Sequence, residues 1–201
     1  MNENLLIIFT RNPEKGKVKT RLAREIGEEG ALEIYNFLLK HTSAVTRNLK
    51  IDKCVYYSEE IHENDIWDSA AYNKLLQKGN DLGERMENAF RESFDKGYKH
   101  VAIIGSDLYD LKEKDLEEAF LQLKKNEFVL GPAQDGGYYL IGMNSLTSEV
   151  FRNKSWGTSS VLKDTLKDLA SKKVKLLEVR NDIDVYDDIK DKAPFCKFLK
   201  K

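Results

Sequence analysis

The chain has 201 residues, 41% hydrophobic and 33% charged, with 33 basic side chains against 34 acidic ones for a formal net charge of -1. That balance gives an ordinary surface around a core of fair size and argues against a nucleic-acid binder, whose phosphate contacts need a basic excess. No Pro/Gly/Ser-rich stretch divides the chain, so one domain over 1–201 is expected. The first apolar run, 5–9, is far short of the ~20 residues of a membrane span and lacks a signal peptide's flanks, so no membrane span and a cytoplasmic location are expected.

In chain order, short apolar runs at 5–9, 53–57, 75–77, 101–104, 127–130, 137–142 and 174–179 read as strands. A helix should cover 28–40. Leu82, Met86, Ala89, Phe90 and Ser93 share one helical face, as do Leu116, Ala119, Phe120 and Leu123, and later Leu162, Thr165, Leu166 and Leu169. Strands alternating with helices predict an α/β fold of three layers, α/β/α, around a mostly parallel sheet. The gap between 127–130 and 137–142 is too short for a parallel crossover, which predicts one reversed strand. Cys54 and Cys196 lack a CxxC spacing and read as reduced thiols. His41, His62 and His100 have no ligand spacing and read as surface residues, and Lys197, Lys200 and Lys201 as a solvated terminus.

Residues that carry chemistry fall where strands end. After the first strand, 11–21 packs Arg11, Lys15, Lys17, Lys19 and Arg21 around Pro13 and Gly16, a composition suited to a polyphosphate. Gly16 would let backbone approach a phosphate, while Lys15, Lys19 and Arg21 neutralise it; the Walker A spacing is not met. In 77–86, Gln77, Asp81 and Arg85 are placed to touch base, ribose or phosphate, and Gly83 suggests close approach; Asp81 reads equally as a helix N-cap with Glu84 three residues on. Asp107 follows 101–104 and Gly105-Ser106, at the carboxyl end of a buried strand where open α/β sheets bind ligands. In 131–139, Asp135 is a candidate general base or acceptor for substrate hydroxyls, and Gly136, Gly137 and Tyr138 suggest a loop that clears a ligand, against the plain hairpin reading. Trp156 reads either as core or as a surface on which an acceptor stacks. The acidic run 181–188, again past a strand end, offers Asp107 a partner on a Mg²⁺ or Mn²⁺; the alternative is that Asp187 and Asp188 cap the last helix and Asp182 or Asp184 opens a turn.

Together Lys15-Gly16-Lys17-Val18-Lys19-Thr20-Arg21-Leu22, 79–86, Ile104-Gly105-Ser106-Asp107, 131–139, Trp156 and Asp182-Ile183-Asp184 resemble the glycosyltransferase-A-like family described as rSAM/selenodomain-associated transferases. The resemblance implies the GT-A fold of nucleotide-diphospho-sugar transferases, related also to guanylyltransferases. It implies that Asp107, with Ser106 beside it, meets a metal-nucleotide, and that Asp184 matches a late metal-proximal position. A proline is usual in that family where Tyr109 stands. The expected activity is a metal-dependent transfer from a nucleotide-activated small-molecule donor to an unknown acceptor, with glycosyl transfer ahead of nucleotidyl transfer from an NTP. A catalytically idle nucleotide-binding protein is the third alternative.

Overall fold

Each of the seven apolar runs is a strand in the computed structural model, which describes residues 2–199. They are β1 (Asn4–Thr10), β2 (Asp52–Tyr57), β3 (Asn73–Leu76), β4 (His100–Gly105), β5 (Phe128–Pro132), β6 (Tyr138–Met143) and β7 (Val174–Leu176). All join one sheet in the order β3-β2-β1-β4-β6-β5-β7. Neighbours pair in parallel except β6, which runs antiparallel to both β4 and β5 and is the expected reversed strand. β7 is shorter than 174–179: beyond it the chain keeps to β5 through the Leu177 N–H on the Leu130 carbonyl and a bridge between Arg180 and Ala133.

Side chains alternate across the strands, so each face of the sheet receives its own helices. On one face Leu6, Ile8, Val55 and Ile104 pack against Tyr35 and Leu39 of α1 (Thr20–Arg47) and Leu116 and Phe120 of α3 (Glu113–Leu123). On the other, Leu5, Ile7, Val101 and Ile103 meet Met86 and Phe90 of α2 (Leu82–Asp95) and the flank of α4 (Val161–Asp168). This is the three-layer arrangement. The helix expected from 28 is the second part of α1, which is broken at Gly27 by a φ of 80° and ψ of 160°. No L side chain adopts that conformation readily, so a short first segment from Thr20 is set off from the long one.

A third, smaller cluster fixes the end of the chain. Ile183, Ile189 and Phe195 bury against Leu22, Ile34 and Leu38 of α1, all of them fully enclosed. Tyr109, in place of the family's proline, joins this cluster: its ring lies 5.8 Å from Phe37 and 5.0 Å from Phe195. The histidines are half-buried rather than free on the surface, with His41 against the Leu111 carbonyl (3.0 Å) and His100 against Asn144 (2.8 Å). Cys54 and Cys196 are unpaired. Lys200 and Lys201 lie outside the described residues, and among those residues no helix is long and apolar enough to cross a membrane.

Candidate functional site

The carboxyl ends of β1 and β4 are tied together by buried hydroxyl groups. Ser106, 2% exposed, donates to the Thr10 hydroxyl (3.1 Å), and its carbonyl accepts from Thr42 of α1 (2.9 Å). Tyr35 donates to the Arg11 carbonyl (3.1 Å) and accepts the Arg11 N–H (3.0 Å). Ser106, expected at the nucleotide, lines the wide cleft as part of its floor. What this network holds in place is Asp107, whose carboxylate leaves β4 and stays partly open to solvent.

The cationic loop is already charge-paired. Lys19, in a left-handed conformation with φ 47°, reaches Asp107 at 2.7 Å, and its side chain is only 6% exposed. Burial works against the Lys19 ammonium, but the Asp107 charge and hydrogen bond, helped by Asp184 and Asp182, outweigh it and raise the pKa. Arg21 bonds Asp184 at 2.8 Å, and Lys17 bonds Glu14 and Glu59. Lys15 turns outward to Glu29, and Gly16 uses its positive φ beside Glu28, so neither lines the cleft where they were expected. Arg11 is the one cation of the loop with no ion pair among the described residues, and it does line the cleft. Sequence reasoning counted it but gave it no role.

The second turn is built as a brace. Gln77 donates to the Thr10 and Tyr56 carbonyls (3.2 and 2.9 Å), and Arg85 donates to the Gly79 carbonyl (3.0 Å). Asp81 caps α2 through the Glu84 N–H at 2.8 Å, so the N-cap reading holds, while its residue still faces the cleft. Gly83 faces no cleft: a Cβ there would lie 2.4 Å from the Phe151 carbonyl and 2.8 Å from Trp156. Its close approach is to its own chain.

Three more carboxylates complete the site. Asp135 accepts the Gly137 N–H at 2.8 Å, an Asx turn that fixes one of its oxygens. Gly136 makes room for Ser159 rather than for a ligand, since a Cβ on it would stand 2.3 Å from the Ser159 carbonyl. Ile183 is fully buried, and the carboxylates on either side of it, Asp182 and Asp184, face the cleft. The family resemblance singled out Asp184 and gave Asp182 no role; the buried Ile183 between two acids was the signal for both.

Burial, followed by the charges of Asp135 and Asp107, raises the Asp182 pKa. A carboxylate raised in the folded state carries a penalty that is full above its folded pKa and is relieved as pH falls through that value towards its ordinary 3.8. Asp182→Asn is therefore expected to raise the melting temperature at pH 7 by about 1–3 °C, with the difference from wild type vanishing in acid. Thermal scans between pH 7 and pH 4 measure this, and a variant less stable at pH 7 would contradict it.

Two adjoining clefts result. The wider, about 820 Å³, has a mixed lining with five cations (Arg11, Lys17, Lys19, Arg21, Arg85) against six carboxylates (Glu59, Asp81, Asp107, Asp135, Asp182, Asp184). The narrower, about 240 Å³, is mostly apolar and includes Phe9, Met86, Ile103, Tyr138 and Trp156, with Gly137 at its edge. Asp135 and Asp182 belong to both. Among the described residues no three His, Cys, Asp or Glu side chains are grouped so as to hold a metal ion. Asp107 and Asp184 are instead engaged by Lys19 and Arg21.

The chain is similar over 96% of its length to a crystal structure from Desulfovibrio desulfuricans G20, provisionally named a nucleotide-diphospho-sugar transferase, at 31% identity, 90% coverage of that chain and a TM-score of 0.85. A cytidylyltransferase from Leptospira borgpetersenii shares the fold at 15% identity and a TM-score of 0.62, covering 94% of this chain and 84% of that one. So does Rv0371c of Mycobacterium tuberculosis H37Rv in complex with manganese, at 11% identity and a TM-score of 0.58 over 100% of both chains. No curated protein matches the chain. The profile of a bacterial family described as an uncharacterized protein conserved in bacteria, DUF2064, matches residues 41–158. That span exceeds half of the chain and contains Asp81, Asp107, Asp135 and Trp156, and with the relative from Desulfovibrio it shows that the chain belongs to the DUF2064 family, within the fold of the nucleotide-diphospho-sugar transferases.

Proposed function

We propose that residues 1–201 form one transferase domain that takes a nucleotide-activated donor in the wide cleft and passes the activated group, most simply a glycosyl group, to an acceptor in the narrow one. The observation that carries this is the shared boundary: a polar, mixed-charge cleft at the strand ends meets an apolar cleft at Asp135 and Asp182. The relative from Desulfovibrio, named for such a donor, supports it.

Asp107 and Asp184 are the proposed ligands of a divalent cation: both line the wide cleft, and their carboxylate oxygens are hard donors that need phosphate oxygens or waters to complete the shell, since among the described residues no three such groups are clustered. These residues would hold Mg²⁺ or Mn²⁺ in exchange for the Lys19 and Arg21 pairs, freeing both cations for phosphate oxygens; the fold relative that carries manganese is consistent with this. A bound cation would offset the charge developing on the leaving diphosphate. Arg11, Lys19 and Arg21 are the proposed phosphate ligands, and Asp81, Gln77 and Arg85 seat the nucleoside. As the glycosyl carbon leaves the diphosphate oxygen and bonds to the acceptor oxygen, the acceptor's proton passes to Asp135.

The charge balance favours a diphosphate over a triphosphate. With carboxylates outnumbering cations in the lining, one divalent ion neutralises a diphospho-sugar but leaves a triphosphate with surplus negative charge. Calorimetry with UDP-glucose, GDP-mannose and the four NTPs, each with Mn²⁺ and with EDTA, tests the proposal. Manganese-dependent binding of an NDP-sugar is expected. Pyrophosphate release from an NTP with no NDP-sugar bound would replace glycosyl by nucleotidyl transfer.

A further inference from the structure

We infer that the narrow cleft selects an acceptor without an anionic group, a compact and largely apolar molecule that is neutral or cationic where it meets the wide cleft. This rests on the transferase reading for the word acceptor, but the selectivity follows from the cleft itself. Its walls are Phe9, Met86, Ile103, Ile141, Tyr138 and Trp156, and among the described residues that line it there is no Lys, Arg or His. The charged groups on its lining are the carboxylates of Asp135 and Asp182. Asp135 and Asp182 stand together on that rim, while the nearest cation acting on them, Lys19, lies on the wide cleft's lining, so a further negative charge brought there meets repulsion in a partly desolvated place. A phosphate or carboxylate on the acceptor has no counter-charge here, in contrast to the wide cleft, where five cations are within reach.

Size narrows the class further. A cleft of about 240 Å³ suits one ring with a short substituent rather than a long chain or an oligosaccharide. The flat Trp156 and Tyr138 side chains offer stacking surface to such a ring.

Benzyl alcohol, benzylamine, benzoate and phenyl phosphate serve as probes on metal-free protein without nucleotide, read by tryptophan fluorescence. The chain has two tryptophans: Trp156 lines the cleft, and Trp67, 1% exposed in the core, gives a constant background. Benzyl alcohol and benzylamine are expected to give saturable changes, with benzoate and phenyl phosphate weaker by at least about tenfold. Asp182→Asn is expected to narrow that gap to about threefold or less, and Val161→Phe, which fills the cleft from α4, to abolish the response. Equal binding of benzoate and benzyl alcohol, or no saturable response to any neutral or cationic probe, would overturn the inference. Calorimetry with Mn²⁺ and an NDP-sugar on the same samples separates the two claims, because loss of donor binding with the probe selectivity intact removes the transferase reading alone.

Discussion

Asp107→Ala is expected to abolish nucleotide-dependent activity and to lower stability by about 2 kcal/mol, whereas Asp184→Ala is expected to cost less than about 0.5 kcal/mol. The contrast follows from burial. The Lys19 ammonium is enclosed, with 6% of its side chain exposed, and Asp107 at 2.7 Å is its hydrogen-bond partner. Removing that carboxylate leaves a buried cation, for which losses of roughly 3–5 kcal/mol are typical. Asp107 is itself 39% exposed, and Asp184 and Asp182 still act on Lys19 from a distance, so the lower figure applies. The Arg21 to Asp184 pair, at 63% and 41% exposed, is screened by water. Lys19→Met added to Asp107→Ala should recover most of the stability and none of the activity, because the unpaired charge is gone but so are the proposed phosphate and metal ligands. Urea unfolding of the four proteins measures the stabilities. Equal losses for Asp107→Ala and Asp184→Ala would show that the buried pair does not hold the loop to β4.

The same pair shows where the sequence was readable. The central strands were legible because a buried strand is a continuous apolar run, the exposed edge strands β3 and β7 only as short runs between turns, and the reversed β6 because the chain between Pro132 and Tyr138 has no room for a crossover. Strand ends pointed to Asp107, Asp135 and the 181–188 run for the same reason: polar residues that interrupt such runs lie at the sheet edge. Side-chain direction was not legible. The loop 11–21 displays five cations, yet Lys15 turns to Glu29 and Lys17 to Glu14 and Glu59, while Lys19 folds inward through a left-handed backbone that its residue type does not announce. Arg11 and Asp182 were passed over because their roles depend on long-range neighbours: the loop's other cations find carboxylates, and Ile183 finds a pocket on α1. The glycines at 83 and 136 signalled close approach correctly, but a glycine does not say whether ligand or protein approaches it.

Gly136→Ala is the second large effect, an expected loss of about 3 kcal/mol. Two separate costs add. The backbone at Gly136 has φ 89°, which an alanine adopts at about 1 kcal/mol. Its Cβ would also fall 2.3 Å from the Ser159 carbonyl and 2.6 Å from the Ser159 Cα, and backbone cannot rotate away as a side chain can. Gly97→Ala separates the terms, since Gly97 has φ 91° with nothing within 4 Å of the added Cβ, and it is expected to cost about 1 kcal/mol alone. Relief of the clash at 136 has to part the loop of Asp135 from the segment that carries Trp156 into α4, which are joined by the Leu162 N–H on the Gly136 carbonyl at 3.0 Å. Residues of both segments line the narrow cleft, so the variant should lose the benzyl alcohol response while keeping the proposed donor binding in the wide cleft. If Gly136→Ala costs no more than Gly97→Ala and the probe still binds, the 133–137 loop yields freely and Ser159 does not fix the cleft wall.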